Sequence, residues 1–225
     1  MSASLTGYNR NIFGMLERRK VQIKVCGMRD PLNLEQVCAL VPEFVGFIFY
    51  PRSRRFVGMH PDPMLFEIPG PAIKKVGVFV DEELSQVRKA IDLYGLDAVQ
   101  LHGGENPSYC RQLSGEAVEV FKALEPHTPH SELEKYLEVE DHLLFDSAAS
   151  GKGGTGQKFD WNLLEDLPFS ASFLLSGGIG PPDAGLIRTL DLQGLMGVDV
   201  NSKFELLPGL KDIESLKEFI IEIRK

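Results

Sequence analysis

The sequence QIKVCGM at residues 22–28 runs into RDPLNLEQVCAL at residues 29–40, and the two have the pattern of one strand followed by one helix. The first segment is apolar and β-branched, which favours a buried β-strand. Asp30 then stands where a helix N-cap is expected, with Pro31 at the first helical position. We therefore predict a strand over residues 22–28 and a helix over residues 31–40.

The same strand–helix unit recurs along the chain. Seven further strand candidates are residues 44–50, 75–80, 98–103, 117–123, 142–147, 172–178 and 197–202. Helical spacing marks residues 82–94, after Asp81 as a second N-cap, and residues 181–190 and 211–224. Eight near-continuous apolar strands that alternate with helices, without a long linker, predict a single (β/α)8 TIM barrel of class α/β. Four prolines within residues 58–72 predict that the second helix is short or distorted.

Composition excludes several other classes of protein. The 225 residues carry a net charge of −8, which disfavours a nucleic-acid-binding surface, and no apolar run approaches the roughly 20 residues that span a bilayer. Cys26, Cys38 and Cys110 form no CxxC pair, so neither a disulfide framework nor a cysteine zinc site is expected. Residues 1–20 lack the apolar core of a secretory signal and are predicted to be a helical or disordered extension. We expect a cytoplasmic protein whose catalytic domain is residues 21–225.

Polar residues gather where the predicted strands end, which is where the active site of such a barrel lies. They are Cys26, Arg55, His102, Asp146, Ser176 and Asp199. Because side chains alternate along a strand, Lys24 shares a face with Cys26, and Gln100 shares one with His102. An aspartate within an apolar strand is costly to bury without a partner or a task. These residues are therefore candidate site residues.

Small residues at three neighbouring strand ends predict an anion site. They are Gly153, Gly154, Thr155 and Gly156 after the sixth strand, Gly177 and Gly178 on the seventh, and Asn201 and Ser202 on the eighth. Glycine lets backbone N–H groups approach a phosphate, and barrels of this type bind phosphate in the loops after strands seven and eight. The GGTG run alone is equally typical of a tight surface turn. The three loops together favour a phosphate site.

Seven motifs resemble those of the phosphoribosylanthranilate isomerase family. They are KVCGMRD (24–30), GFIFYPRSRRFV (46–57), VGVFV (76–80), VQLHGGE (99–105), LFDSAASGKGGTGQKFDW (144–161), LLSGGI (174–179) and GVDVNSKFE (197–205). The resemblance implies a TIM barrel that performs an Amadori rearrangement in tryptophan biosynthesis. N-(5-phosphoribosyl)anthranilate would become 1-(2-carboxyphenylamino)-1-deoxyribulose 5-phosphate. No metal or organic cofactor is expected, because the imine intermediate is itself the electron sink.

The resemblance also implies roles for individual residues. Asp146 would protonate the furanose ring oxygen, and Cys26 would remove the proton at sugar C2. We add the hypothesis that Lys24 favours the Cys26 thiolate. Arg55 corresponds to an arginine that holds the anthranilate carboxylate, a task suited to a guanidinium fork.

Further residues are implied to bind the substrate. His102 and Asp199 would line the pocket, although a buried ion pair across the barrel is an open alternative for Asp199. The 5-phosphate would be held by Gly154, Thr155, Gly156, Gly177, Gly178, Asn201 and Ser202. Lys203 departs from the family, which usually has glycine there; it could add charge to the phosphate site or, if that glycine has positive φ, alter the turn.

Two other enzymes and one non-catalytic class compete with this interpretation. Indole-glycerol-phosphate synthase would need a lysine pair on the early strands, and the isomerase of histidine synthesis would have an aspartate near the end of strand one. Cys26 disfavours both. A phosphate-binding barrel without catalysis would be expected to lack Cys26 or Asp146. The expected partner is a phosphosugar, with no nucleic acid or membrane, and the sequence leaves a monomer and a homodimer open.

Overall fold

Eight parallel strands close into a barrel in chain order. The structure, a computed structural model, describes residues 21–113, 117–139, 141–147, 158–165, 167 and 172–225. The strands are β1 (Gln22–Cys26), β2 (Phe44–Ile48), β3 (Lys74–Phe79), β4 (Ala98–Leu101), β5 (Glu119–Leu124), β6 (His142–Phe145), β7 (Phe173–Leu175) and β8 (Leu195–Val200). At the closure, Lys24 lies opposite Phe44 of β2 on one side and Asp199 of β8 on the other. The predicted (β/α)8 barrel is confirmed.

Helices connect most of the strands. They are α1 (Pro31–Cys38), α2 (Leu84–Tyr94), α3 (Pro107–Arg111), α4 (His130–Leu137), α5 (Ala184–Thr189) and α6 (Ile213–Ile223). The Asp30 carboxylate accepts a hydrogen bond from the N–H of Asn33 at 2.8 Å and caps α1 as predicted. Between β2 and β3 the helical element is one 3-10 turn, Pro63–Phe66. The predicted short second helix is confirmed, since proline lacks the N–H that an α-helix uses.

The predicted N-cap at Asp81 is wrong. Helix α2 begins at Leu84 with Glu83 at its N-cap. Asp81 has a φ of 50°, and its carboxylate accepts a hydrogen bond from the N–H of Gly104 at 2.7 Å. The side chain thus joins the loop after β3 to the loop after β4, a partner that local sequence spacing does not reveal.

The last predicted helix, residues 211–224, begins too early. Asp212 caps α6 by accepting from the N–H of Ser215 at 3.2 Å. Lys211 instead belongs to a hairpin of β9 (Glu205–Leu207) and β10 (Leu210–Lys211), in which it pairs with Glu205. Its backbone also forms two hydrogen bonds with the side-chain amide of Asn33 in α1, at 2.7 and 3.0 Å. These two hydrogen bonds hold the β9–β10 hairpin against α1.

The barrel interior is apolar at its centre and polar towards the C-terminal ends of the strands. The central cluster takes side chains from every strand between β2 and β8: Phe44, Val76, Ala98, Phe121, Ala123, Leu144, Leu174 and the partly buried Met196. Buried polar side chains on the strands include Lys24, Gln100, Lys122 and Asp199. No helix in the described part of the chain is long and apolar enough to cross a membrane. The polar C-terminal end of the barrel is therefore the place of the candidate site.

Candidate active site

A chain of polar contacts runs across the C-terminal end of the barrel. The Lys24 ammonium donates to Asp199 Oδ1 at 2.9 Å, and the Ser176 hydroxyl lies 3.3 Å from Asp199 Oδ2 and 3.1 Å from Asp146 Oδ2. The His102 imidazole Nε2 lies 3.8 Å from the same Asp146 oxygen. Strands β1, β4, β6, β7 and β8, or the residues that directly follow them, supply these side chains. Four of the residues predicted from strand ends are thus within one connected site.

Cys26 ends β1 beside this chain of contacts. Its thiol is 3% exposed, and a Cβ built on Gly46 would lie 2.8 Å from Cys26 Sγ and 3.3 Å from Lys24 Nζ. The thiol and the ammonium therefore share the space that glycine leaves on β2. Burial raises the pKa of the Cys26 thiol, and the ammonium groups of Lys24 and Lys211 oppose that shift without reversing it.

Asp199 is half of a buried ion pair. Burial alone lowers the pKa of Lys24, but the Asp199 carboxylate and the Cys26 thiol more than offset this, so the net pKa is raised. Asp199 is therefore a buried ion-pair partner as the alternative expected, but it pairs with a neighbour on the adjacent strand and not across the barrel. The second oxygen, Oδ2, points to Ser176 and leaves the carboxylate at the edge of the site.

His102 is oriented by its neighbour on the same strand face. Its Nδ1 accepts from the Gln100 side-chain amide at 2.7 Å, which assigns the ring proton to Nε2, the nitrogen that faces Asp146. Burial lowers the pKa of His102, while the carboxylates of Asp146 and Asp199 act in the opposite direction. The imidazole is therefore neutral at pH 7 and presents an N–H donor to the site.

Arg55 lies at the rim of the site and is held by a residue that sequence reasoning missed. Its Nε and Nη2 bind the Glu205 carboxylate at 2.7–3.0 Å. Glu205 also accepts from Lys211 Nζ at 2.8 Å. The predicted helix over residues 211–224 included Lys211, and Asp212 as a competing N-cap is the sequence signal that could have excluded it.

The predicted phosphate loops are partly described. Gly177 and Gly178 have φ of 84° and 70°, a conformation that suits glycine and turns the backbone at the end of β7. The Asn201 side chain accepts from Lys211 at 2.7 Å, and Ser202 begins a 3-10 turn, Ser202–Phe204. Lys203 is exposed in that turn and does not adopt positive φ, so it does not force an unusual backbone. The predicted Gly154, Thr155 and Gly156 lie outside the described residues.

The fold and the site together define a (β/α)8-barrel enzyme with a buried thiol, a carboxyl group and an arginine at its catalytic end. A family model for N-(5'-phosphoribosyl)anthranilate (PRA) isomerase matches residues 23–222. The chain belongs to this isomerase family, which confirms the predicted family and reaction class.

Individual relatives agree with this assignment over nearly the whole chain. The N-(5'-phosphoribosyl)anthranilate isomerase of Parabacteroides distasonis is 43% identical over 205 residues, which are 89% of this chain and 92% of the relative. A solved structure of monomers generated from the dimeric isomerase of Thermotoga maritima has a TM-score of 0.70 and 30% identity. Another solved isomerase, in complex with reduced 1-(o-carboxyphenylamino)-1-deoxyribulose 5-phosphate, has a TM-score of 0.70 and 31% identity. In both cases 90% of this chain and 98% of the other are covered.

Proposed function

We propose that the chain converts N-(5-phosphoribosyl)anthranilate into 1-(2-carboxyphenylamino)-1-deoxyribulose 5-phosphate, the third step of tryptophan synthesis from chorismate. Family membership over residues 23–222 supports the reaction. The observation that carries the mechanism is the contact chain from Lys24, beside Cys26, through Asp199 and Ser176 to Asp146. This arrangement supports a single substrate that the Cys26 thiol reaches from one side of the barrel mouth and the Asp146 carboxyl group from the other.

Asp146 is proposed as the general acid. A proton passes from its carboxyl group to the furanose ring oxygen, the C1–O bond breaks, and the nitrogen lone pair forms the protonated imine. The Ser176 hydroxyl has one proton for two carboxylates, Asp146 and Asp199. Because Lys24 occupies Asp199, Asp146 is the carboxyl group of this chain of contacts that is proposed to serve the substrate.

Cys26 is proposed as the general base. Its thiolate removes the proton at sugar C2, the C–H electron pair forms the C1=C2 bond, and the imine π electrons return to nitrogen. The resulting enolamine then tautomerises to the ketone. Because burial raises the pKa of the thiol, the reactive form is the minor one at neutral pH and depends on the nearby ammonium groups.

The remaining predicted site residues are proposed to bind the substrate. The Nη1 of Arg55, which Glu205 does not use, is available for the anthranilate carboxylate. The Nε2–H of His102 and the edge of Asp199 would line the sugar site. Backbone groups at Gly177, Gly178, Asn201 and Ser202 would bind the 5-phosphate together with Gly154, Thr155 and Gly156. We further propose that residues 21–225 are the catalytic domain, in the cytoplasm, with residues 1–20 as an extension.

The acid–base assignment is tested by turnover of enzymatically generated phosphoribosylanthranilate, followed by loss of its fluorescence. We expect Cys26→Ala and Asp146→Asn each to lower kcat by at least about 100-fold, the size typical of general acid–base catalysis. Cys38→Ala on α1 and Asp191→Asn, exposed before β8, are matched controls that should retain parental rates. Substrate binding without turnover by the parent would refute the isomerase proposal. Loss in only one variant would reassign the other residue to positioning.

A further inference from the structure

The hairpin after β8 buries two charged side chains that the reaction mechanism does not use. Lys211 and Glu205 pair across β9 and β10, with side chains 0% and 4% exposed. The Glu205 carboxylate accepts from Arg55, from Lys211 Nζ and from the N–H of Gly209 at 3.0 Å. Four N–H donors, two of them from Arg55, thus converge on this carboxylate, so it is held rigidly. Glu205 is therefore placed to fix the position of Arg55.

The same network extends to the residue that follows Cys26. Lys211 Nζ donates to Asn201 Oδ1 at 2.7 Å, and that oxygen would lie 3.0 Å from a Cβ on Gly27. Arg55 Cδ would lie 2.6 Å from the same position, and Gly27 has a φ of 81°. Only glycine fits between these groups. Arg55 and the Asn201 amide that Lys211 binds thus flank the backbone at the end of β1.

Charges in this region are unequal. Lys24, Lys211 and Arg55 are cations, whereas Asp199 and Glu205 are the carboxylates that pair with them. Arg55 and Lys211 share the one carboxylate of Glu205, so this network has one cation in excess, which favours an anion at Cys26. We propose that Glu205 and Lys211 are positioning residues of the active site: Glu205 fixes the Arg55 fork, and Lys211 supplies the cation that favours ionised Cys26. The inference deepens the proposed function.

The alternative is that Lys211 and Glu205 contribute only to folding stability. Variants that change the charge of the pair distinguish this alternative from a role in the active site. The charged groups that act on Cys26 are Lys24, Asp199 and Lys211. Removing the Lys211 cation should raise the pKa of the thiol, whereas Lys211→Arg keeps a cation there and should leave the pKa nearly unchanged. A packing defect in the hairpin would not follow the charge at residue 211. Lys211→Met and Lys211→Arg are therefore paired tests.

The readout is the rate of Cys26 alkylation by iodoacetamide against pH, without substrate, in the whole protein. Labelling in Cys26→Ala is subtracted as background from the other cysteines. We expect Lys211→Met to label Cys26 about tenfold more slowly at pH 7.5, equivalent to about one pKa unit. Lys211→Arg should restore most of the parental rate.

The matched control is another buried lysine–glutamate pair in the same barrel. Lys122 Nζ lies 2.9 Å from Glu105 Oε2, both side chains are 2% exposed, and Lys122 is not among the groups that shift Cys26. Lys122→Met should leave the labelling profile in place. A profile that Lys211→Met leaves unmoved, or that Lys122→Met moves equally, would overturn the inference even in an active isomerase. Lys211→Gln, a neutral polar replacement that can still hydrogen-bond to Asn201, keeps the test decisive if Lys211→Met does not fold.

Arg55 gives a second, independent readout of Glu205. If Glu205 only stabilises the hairpin, Glu205→Gln should change KM and kcat little in protein that remains folded. If it fixes the guanidinium for the substrate carboxylate, KM should rise severalfold while kcat falls less, because the lost interaction is one of binding. An unchanged KM would refute the positioning of Arg55. Failure of the parent to turn over the substrate would instead refute the proposed function.

Discussion

Replacing Lys24 by methionine would remove one partner of a buried ion pair and leave the other charged. Lys24 is fully buried, and the Asp199 side chain is 6% exposed. Ser176 offers one hydrogen bond to Asp199, and nothing else among the described contacts replaces the lost ammonium. Breaking a buried pair in this way typically costs about 3–5 kcal/mol. With an unfolding slope of about 2 kcal/mol per molar urea, the midpoint should fall by about 1.5–2.5 M.

The assay is urea unfolding followed by Trp161 fluorescence and by far-UV circular dichroism. The second change, Asp199→Asn in the Lys24→Met background, removes the unpaired charge and should recover about half of the loss or more. Lys74→Met is the surface control, because Lys74 pairs with Glu119 where both side chains are well exposed, and such pairs contribute less than about 1 kcal/mol. A double variant no more stable than Lys24→Met would refute the ion-pair argument.

The same variant tests the effect of Lys24 on the Cys26 thiol, the proposed general base. Without the ammonium, and with Asp199 unpaired, the pKa of Cys26 should rise further. The limb of the kcat/KM profile that follows ionisation of Cys26 should therefore move to higher pH. An unmoved limb would show that Lys24 does not favour the thiolate.

Three smaller predictions follow from single residues. Gly27→Ala places a Cβ 2.6 Å from Arg55 Cδ at a φ of 81°; the left-handed backbone alone costs about 1–2 kcal/mol, so urea midpoint and substrate affinity should both fall. Burial lowers the pKa of His142, so its contribution to stability is present above the unfolded pKa of about 6.5 and is lost as the pH falls. The urea midpoints at pH 7 and pH 5 should therefore differ less in His142→Gln than in the parent protein. Burial raises the pKa of Cys38 to about 11, so Cys26→Ala should incorporate little iodoacetamide at pH 8, and rapid labelling there would contradict this.

The sequence predicts the features that depend on local pattern. The eight apolar segments and the helices between them are local signals, and so is the proline-rich segment that became one 3-10 turn. The position of the site followed from the fold, because the C-terminal ends of parallel strands meet at one end of a barrel. Lys24 and Cys26 share a strand face for the same reason.

Contacts between distant residues account for what the sequence did not predict. Glu205 binds Arg55 across 150 positions and Asp199 binds Lys24 across 175, so no spacing rule connects them. Lys211 continues an amphipathic pattern well, yet β-pairing with Glu205 and the cap at Asp212 take it out of the helix. Tertiary partners overrode the local preference there.

The hydrogen bonds between Asn33 and Lys211 join positions 178 residues apart. During synthesis the strand that carries the thiol emerges before the hairpin that completes its surroundings. A nascent chain that lacks this hairpin would hold Cys26 without Lys211 and Arg55 without Glu205. Chemical competence would then arrive only with the hairpin, so premature termination just before it would yield an inert product even if most of the barrel had formed.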